Sequence, residues 1–301
     1  MAWLKALVLG VVQGITEFLP ISSDGHLLVT QNLFDWLTGE QSTGKQNLLF
    51  DVILHLGTTI AILVFYRRVI ATGLRGLLGS EDVPAGFRRP EVIRVGVLAA
   101  VATSPLIPLA LFLKKWIERA FEGVAMAGVG FLITASLLLL TAWLSRREGV
   151  KGPAEMTWWD ALWIGLAQMF APLPGVSRSG VTIATALARG LSRTWAVGFS
   201  LLIAVPAVLG GVVFEVKDIQ PDTLTAAAVG QALAATILAG VVGYYAILGL
   251  IRIVRSGRIW YFSVYLIVVG ILVLAVVAIR GGSADGERAT ALDRPVRSRA
   301  A

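Results

Sequence analysis

Six stretches of this chain are long and apolar enough to cross a bilayer: residues 50–66, 92–113, 124–144, 196–214, 224–251 and 259–279. A helix needs about 20 such residues to span a hydrocarbon core roughly 30 Å thick, and helices pair every backbone group on the way through. Four of the six contain no charged residue; the first carries Asp51 and His55, the second Arg94. Composition excludes the soluble alternative. Of 301 residues 56% are hydrophobic and 15% charged, against roughly 25% charged in an ordinary soluble domain. The same apolar excess excludes disorder as far as about residue 280. The chain is predicted to be an all-α polytopic membrane protein with about six transmembrane helices.

The charges that remain are arranged for topology. Lys and Arg total 26 against 19 Asp and Glu, a net +7, but five cations and three acids lie beyond residue 279. The rest form short groups between apolar runs, not the clustered face that binds nucleic acid, so no nucleic-acid partner is expected. The loops 67–94, 145–195 (Arg178 set aside) and 252–258 hold fourteen cations, and the opposite side, before the tail, holds six: Lys5, Lys45, Lys114, Lys115, Arg119 and Lys217. The richer side is expected to be cytoplasmic, with both termini outside. Adding the five tail arginines narrows that margin to fourteen against eleven. With no cysteine there is no disulfide, thiolate or thiolate-bound metal, and two histidines are the only imidazoles.

Two further apolar stretches, 2–20 and 158–174, are interrupted by polar residues and end in proline or glycine. They are predicted to be broken, re-entrant helices. Lys5 ahead of a short apolar core resembles a secretory signal, but Gln13 and Glu17 stand where a small-residue cleavage site belongs, so the segment is expected to be retained. With residue 10 set over residue 165, Gly10 meets Gly165, Gln13 meets Gln168, Ser22 meets Ser177 and Gly25 meets Gly180. Phe50–Leu56 similarly resembles Phe199–Val205. The chain reads as a duplication: residues 1–150 and 151–280 each hold one broken segment and three spans, and 281–301 form a polar basic tail expected to be disordered. An odd number of spans inverts the second copy, so the two breaks enter from opposite faces and meet near the midplane. Chance likeness between glycine-rich apolar stretches is the plainer alternative.

A carboxylate inside an apolar helix costs at least about 2.5 kcal/mol to insert, which makes Glu17 a functional candidate. Gln13, four residues earlier, shares its helical face; a helix-to-helix hydrogen bond would also account for it. After Pro20, the residues Ser22, Ser23, Asp24, Gly25 and His26 crowd hydroxyls, a carboxylate and an imidazole together, more polarity than lipid contact allows unless this is a surface loop. The second break, Pro174 to Thr182, has the makings of an anion cradle. Gly175 and Gly180 permit close backbone approach, Ser177, Ser179 and Thr182 supply hydroxyls, and a helix begins there with exposed N–H groups. Arg178 adds a fork that grips two phosphate oxygens. The simpler reading is an ordinary helix cap with Arg178 paired to Glu17 for structure. His55 reads as a hydrogen-bonded interhelical residue, and Trp158, Trp159, Trp163, Trp260, Tyr261 and Tyr265 as interfacial belts.

The runs Gln13-Gly-Ile-Thr-Glu17-Phe-Leu-Pro-Ile-Ser-Ser-Asp-Gly-His26 and Pro174-Gly-Val-Ser-Arg-Ser-Gly-Val-Thr182 resemble the two signature motifs of the bacterial undecaprenyl-diphosphate phosphatases, the BacA type of bacitracin-resistance protein. Length, span count and motif order agree, so the resemblance covers residues 1 to about 280. Asp24 departs from it, standing where threonine is more usual.

The resemblance implies an integral membrane phosphatase. It would hydrolyse undecaprenyl diphosphate to the monophosphate, recycling the carrier lipid of cell-wall synthesis in the bacterial inner membrane, from a site open to the extracytoplasmic side. The implied catalytic set is Glu17, Ser23, His26 and Arg178, with Gln13, Ser22, Gly175, Ser177, Ser179 and Thr182 on the substrate. Ser23 attacks the terminal phosphorus with Glu17 or His26 as base, or His26 attacks directly, while Arg178 and Ser177 stabilise the equatorial oxygens. A Mg²⁺ or Ca²⁺ ion accompanying the diphosphate is expected, with no organic cofactor; the expected partners are the polyprenyl lipid, the bilayer and a second copy in a homodimer. The rival class is a transporter or flippase of an anionic lipid, which uses inverted repeats too but has no need of hydroxyl, carboxylate and imidazole side by side.

Overall fold

The structure is a computed structural model that describes residues 2–39, 44–112, 123–145, 147–216 and 225–292. Lys114, Lys115, Arg119, Arg146 and Lys217, counted above for orientation, lie outside the described residues, as does the end of the tail from 293. Among the described residues the chain is helical, with one isolated bridge between Lys151 and Leu191. In chain order the helices are α1 Ala2–Thr16, α2 Ser23–Thr38, α3 Gly44–Phe65, α4 Arg67–Leu77, α5 Arg89–Thr103, α6 Leu106–Phe112, α7 Val124–Leu144, α8 Trp158–Gln168, α9 Arg178–Ala188, α10 Arg193–Val216, α11 Ala226–Arg255 and α12 Trp260–Leu292.

Five helical stretches are long and apolar enough to cross a membrane: Arg89–Leu109, Val124–Leu144, Arg193–Val213, Ala226–Arg255 and Trp260–Arg280. The stretch Val52–Phe65 of α3 makes a sixth when taken together with α4, into which its axis bends by 69° where Arg67 and Arg68 follow the apolar run. The first cytoplasmic loop of the sequence reading thus contains a helix with Val69, Ile70 and Leu74 among its arginines. The second run is interrupted at Ser104 and Pro105, where proline lacks the N–H a continuous helix needs. Exposed surfaces on the spans are apolar, with Ile133, Leu139 and Leu140 on α7 and Val268, Ile271 and Leu272 on α12. A surface of this kind is solvated by lipid tails, and the protein is a multi-pass membrane protein. The last helix, α12, is drawn to Leu292.

The two broken segments are helix pairs, α1 with α2 and α8 with α9. Pro20 lies in the first break; Pro172 and Pro174 lie in the second. Each second helix opens on a serine cap at the same place in the repeat register. Ser22 Oγ accepts from the Gly25 amide at 3.4 Å, and Ser177 Oγ accepts from the Gly180 amide at 3.1 Å. The packing is reciprocal as well: α1 lies on α11 as α8 lies on α5, and α3 on α11 as α10 on α5. Gly10 makes the first of these close, since a Cβ there would meet the Ala235 carbonyl oxygen at 2.6 Å; at Gly165 it would meet that of Ala102 at 2.5 Å.

The second helix pair is anchored by charge. Thr157 and Asp160 form a capping box at the start of α8, and the buried Asp160 carboxylate takes Lys151 Nζ at 2.9 Å and Arg189 Nε at 2.9 Å. Burial favours the protonated acid, but hydrogen bonds from Thr157, Lys151 and Arg189 outweigh it and hold this carboxyl at about 2, below its ordinary 3.8. A folded value below the unfolded one means stability that is present above the unfolded pKa and lost as the pH falls through the folded one. Asp160→Asn is therefore expected to cost about 2 kcal/mol at neutral pH. Thermal unfolding in detergent measures it, and the gap to the unaltered protein narrows below about pH 4.

Candidate active site

Pro20 and the turn at 17–21 end α1 with Glu17 buried at the foot of α2. The turn closes through Ser22, the one non-glycine residue of positive φ among those described (φ 70°, ψ 105°). This backbone is costly for an L-residue. It is secured by the cap to Gly25 and by His26, whose Nδ1 donates to the Ser22 carbonyl at 2.7 Å. The second break delivers Arg178 as the first residue of α9, directly behind the Ser177 cap.

The two breaks meet at Glu17. Its Oε1 takes Arg178 Nη2 at 2.6 Å. Its Oε2 accepts from Ser23 Oγ at 2.8 Å and Gln13 Nε2 at 3.1 Å, and His55 Nε2 lies 3.5 Å from the same oxygen. Arg178 Nη1 reaches the Ser200 carbonyl at 3.5 Å. A hydroxyl held on a carboxylate is a nucleophile beside its base. A guanidinium at the same carboxylate places a fixed cation where an anion would dock.

Hydroxyls stitch the breaks together. Ser179 Oγ donates to the Leu19 carbonyl at 3.0 Å and lies 3.1 Å from Ser177 Oγ. Thr182 Oγ1 donates to the Arg178 carbonyl at 2.8 Å and sits 2.7 Å from Ser200 Oγ. Thr134 on α7 donates to the Gly175 carbonyl at 3.0 Å and accepts the Ser177 amide at 3.1 Å.

Of the residues singled out from the sequence, Gln13, Ser23 and Arg178 converge on Glu17. Ser22 and Ser177 are caps, while Ser179 and Thr182 hold the second break in place. Gly175 spends its close approach on helix α7, where a Cβ would stand 2.1 Å from the Ala127 carbonyl oxygen. His26 is turned aside: its Nε2 meets the Tyr265 hydroxyl at 2.8 Å, and its ring stacks on Tyr265 and tilts against Phe131. Tyr265, read from sequence as an interfacial residue, is thus a partner of the first motif.

His55 and Ser200 enter the site from α3 and α10. Neither was singled out from the sequence as a catalytic or substrate-binding residue; the alignment of Phe50 over Phe199 sets Asp51 over Ser200, and the Asp51 side chain lies outside the described residues. His55 also lies 3.7 Å from Asp24 Oδ1, and the Asp24 side chain is 36% exposed against 6% for Glu17.

The family of the bacitracin resistance protein BacA matches residues 6–272. The undecaprenyl-diphosphatase of Carboxydothermus hydrogenoformans is 35% identical over 279 residues, spanning 91% of this chain and 97% of that one. Those of Korarchaeum cryptofilum and Desulfosudis oleivorans are each 36% identical, spanning 90% and 89% of this chain and 98% and 96% of their own lengths. Since the match covers both breaks and most of the chain, the chain belongs to the BacA family of bacitracin resistance proteins.

Proposed function

We propose that this protein hydrolyses undecaprenyl diphosphate to undecaprenyl phosphate and inorganic phosphate, as the names of its relatives describe for them. One observation carries the reading: Ser23 Oγ sits on the same buried carboxylate that pairs with Arg178. Transport of an anionic lipid requires the guanidinium but gives no reason for a hydroxyl seated on a base.

In the first step Ser23 Oγ bonds the terminal phosphorus and gives its proton to Glu17. The bridging P–O bond breaks with its electron pair on the departing lipid phosphate. The Arg178 guanidinium stabilises the equatorial oxygens, where charge collects in the transition state. In the second step water attacks the phosphoserine, releasing phosphate and restoring Ser23. His26, with both ring nitrogens engaged, orients the Ser22 turn that presents Ser23.

Among the described residues no group of three or more histidine and acidic side chains is arranged to hold a metal, and the Glu17 oxygens are taken by Arg178, Ser23 and Gln13. A Mg²⁺ or Ca²⁺ ion in this reading arrives on the diphosphate, held by the substrate's own oxygens. The reading further places the protein in the inner membrane with inverted repeats and a site open to the extracytoplasmic side. There it returns carrier lipid to cell-wall synthesis and supports bacitracin resistance.

The test is phosphate release from undecaprenyl diphosphate by purified protein in detergent. Ser23→Ala is expected to reduce it to background and to abolish a trapped phosphoenzyme, whereas His26→Ala leaves the phosphoenzyme on Ser23. Lipid movement without phosphate release would favour the transporter.

A further inference from the structure

Hydrolysis through a phosphoserine moves a proton in each of its two steps. Glu17 takes the Ser23 proton in the first step. The lipid phosphate departs as the unprotonated dianion, so Glu17 still holds that proton when water attacks; it returns to Ser23 Oγ as the serine–phosphorus bond breaks, and the proton of the attacking water goes to another base. The base has to reach the same part of the site without being the partner of Ser23.

The two imidazoles differ in what they face. His26 donates from Nδ1 to the Ser22 carbonyl, which leaves Nε2 to accept from the Tyr265 hydroxyl. His55 points into the site from α3, with Nε2 3.5 Å from Glu17 Oε2 and 3.7 Å from Asp24 Oδ1. Helix α3 is fixed at this height. Thr58 and Thr59 donate to the His55 carbonyl at 3.0 and 2.8 Å, and Thr236 of α11 donates to the Ile53 carbonyl at 3.2 Å. Side-chain exposure rises from 6% at Glu17 through 22% at His55 to 36% at Asp24. Among the described residues, Glu17 and Asp24 are charged groups that face this imidazole, with Arg178 behind Glu17.

We propose that His55 is the catalytic base of the second step: its Nε2 takes the proton of the attacking water and hands it to Asp24 at the more open end of the site. Over one turnover a water is consumed, one proton leaves by this route, and Glu17 and Ser23 return to their starting states. The proposal rests on the phosphoserine reading above and adds a residue to it. It also gives Asp24, where threonine is more usual in the resembling motif, a purpose beside an imidazole.

The experiment is rapid quenching with undecaprenyl diphosphate carrying a radiolabelled terminal phosphate. In His55→Gln, undecaprenyl phosphate is expected to form in a burst approaching one equivalent, label to accumulate on Ser23, and steady-state phosphate release to fall by about 10²-fold. Added imidazole restores release in His55→Ala. A thermal midpoint in detergent identifies folded variants, and His55→Asn carries the same comparison where glutamine is not tolerated. Unchanged steady-state release in the variant overturns the proposal, as does equal slowing of both steps with no label on the protein. The underlying reading fails separately, and takes the proposal with it, if the unaltered protein releases no phosphate or Ser23→Ala turns over normally.

Discussion

Replacing Arg178 by alanine is expected to lower phosphate release by about 10²-fold to 10³-fold, the usual cost of losing one fixed charge-stabilising donor. The same variant is expected to lose stability. Glu17 and Arg178 are both largely buried, their side chains 6% and 14% exposed, and removing one partner of such a pair leaves a charge without compensation, at a cost of about 3–5 kcal/mol. Two companions separate the effects. Arg178→Lys keeps the charge but loses the fork, so it retains most of the stability and little of the turnover. In the double variant Glu17→Gln with Arg178→Gln, no charge is stranded; its thermal midpoint recovers toward the unaltered value while activity stays absent. Activity persisting in Arg178→Ala would remove the guanidinium from the reaction and leave it the structural role that a plain ion pair implies.

Gly175→Ala is expected to be as damaging by a different route. Its φ of +79° is strained for any L side chain, and a Cβ there would stand 2.1 Å from the Ala127 carbonyl oxygen and 2.8 Å from the Phe131 amide nitrogen. The left-handed backbone costs about 1–2 kcal/mol and the overlap about 1–3 kcal/mol more. Relief requires moving the 174–177 loop off α7, which breaks both Thr134 hydrogen bonds and shifts Arg178. Gly190→Ala is the control, since its φ is +82° with nothing within 4 Å of the added carbon. Thermal unfolding in detergent is expected to show a small shift for Gly190→Ala and a large one for Gly175→Ala, with phosphate release lost in the second alone. Similar shifts in both would mean that the contact with α7 carries no weight.

Much of this organisation was legible in the chain because bilayers impose strict terms. Apolar runs of about 20 residues located the spans, and an isolated glutamate and arginine marked the site, since charge at depth has to be answered by charge or hydrogen bonds. The aligned serines foretold matching helix caps, as Ser22 and Ser177 are. Helix rotation was not legible. Whether His55 or His26 faced Glu17 depended on how α3 lies on α11 and how α12 brings Tyr265 to the first motif from 239 residues away, and neither contact leaves a local pattern. The 69° bend after Phe65 was hidden for a related reason: a charged helix following an apolar one reads as a loop when only hydropathy is followed.

The register that sets Ser22 over Ser177 also sets Ser23 over Arg178. Two matching serine-capped breaks therefore offer unlike groups from equivalent posts, a hydroxyl from one and a cation from the other, with a shared carboxylate between them. Such a pocket has a sense of direction. Under the proposed reaction a diphosphate can enter it only one way round, with the terminal phosphorus toward Ser23 and the leaving oxygen pointing back along the lipid. That difference between two otherwise matching breaks is what would let the site distinguish the two ends of a nearly symmetric headgroup.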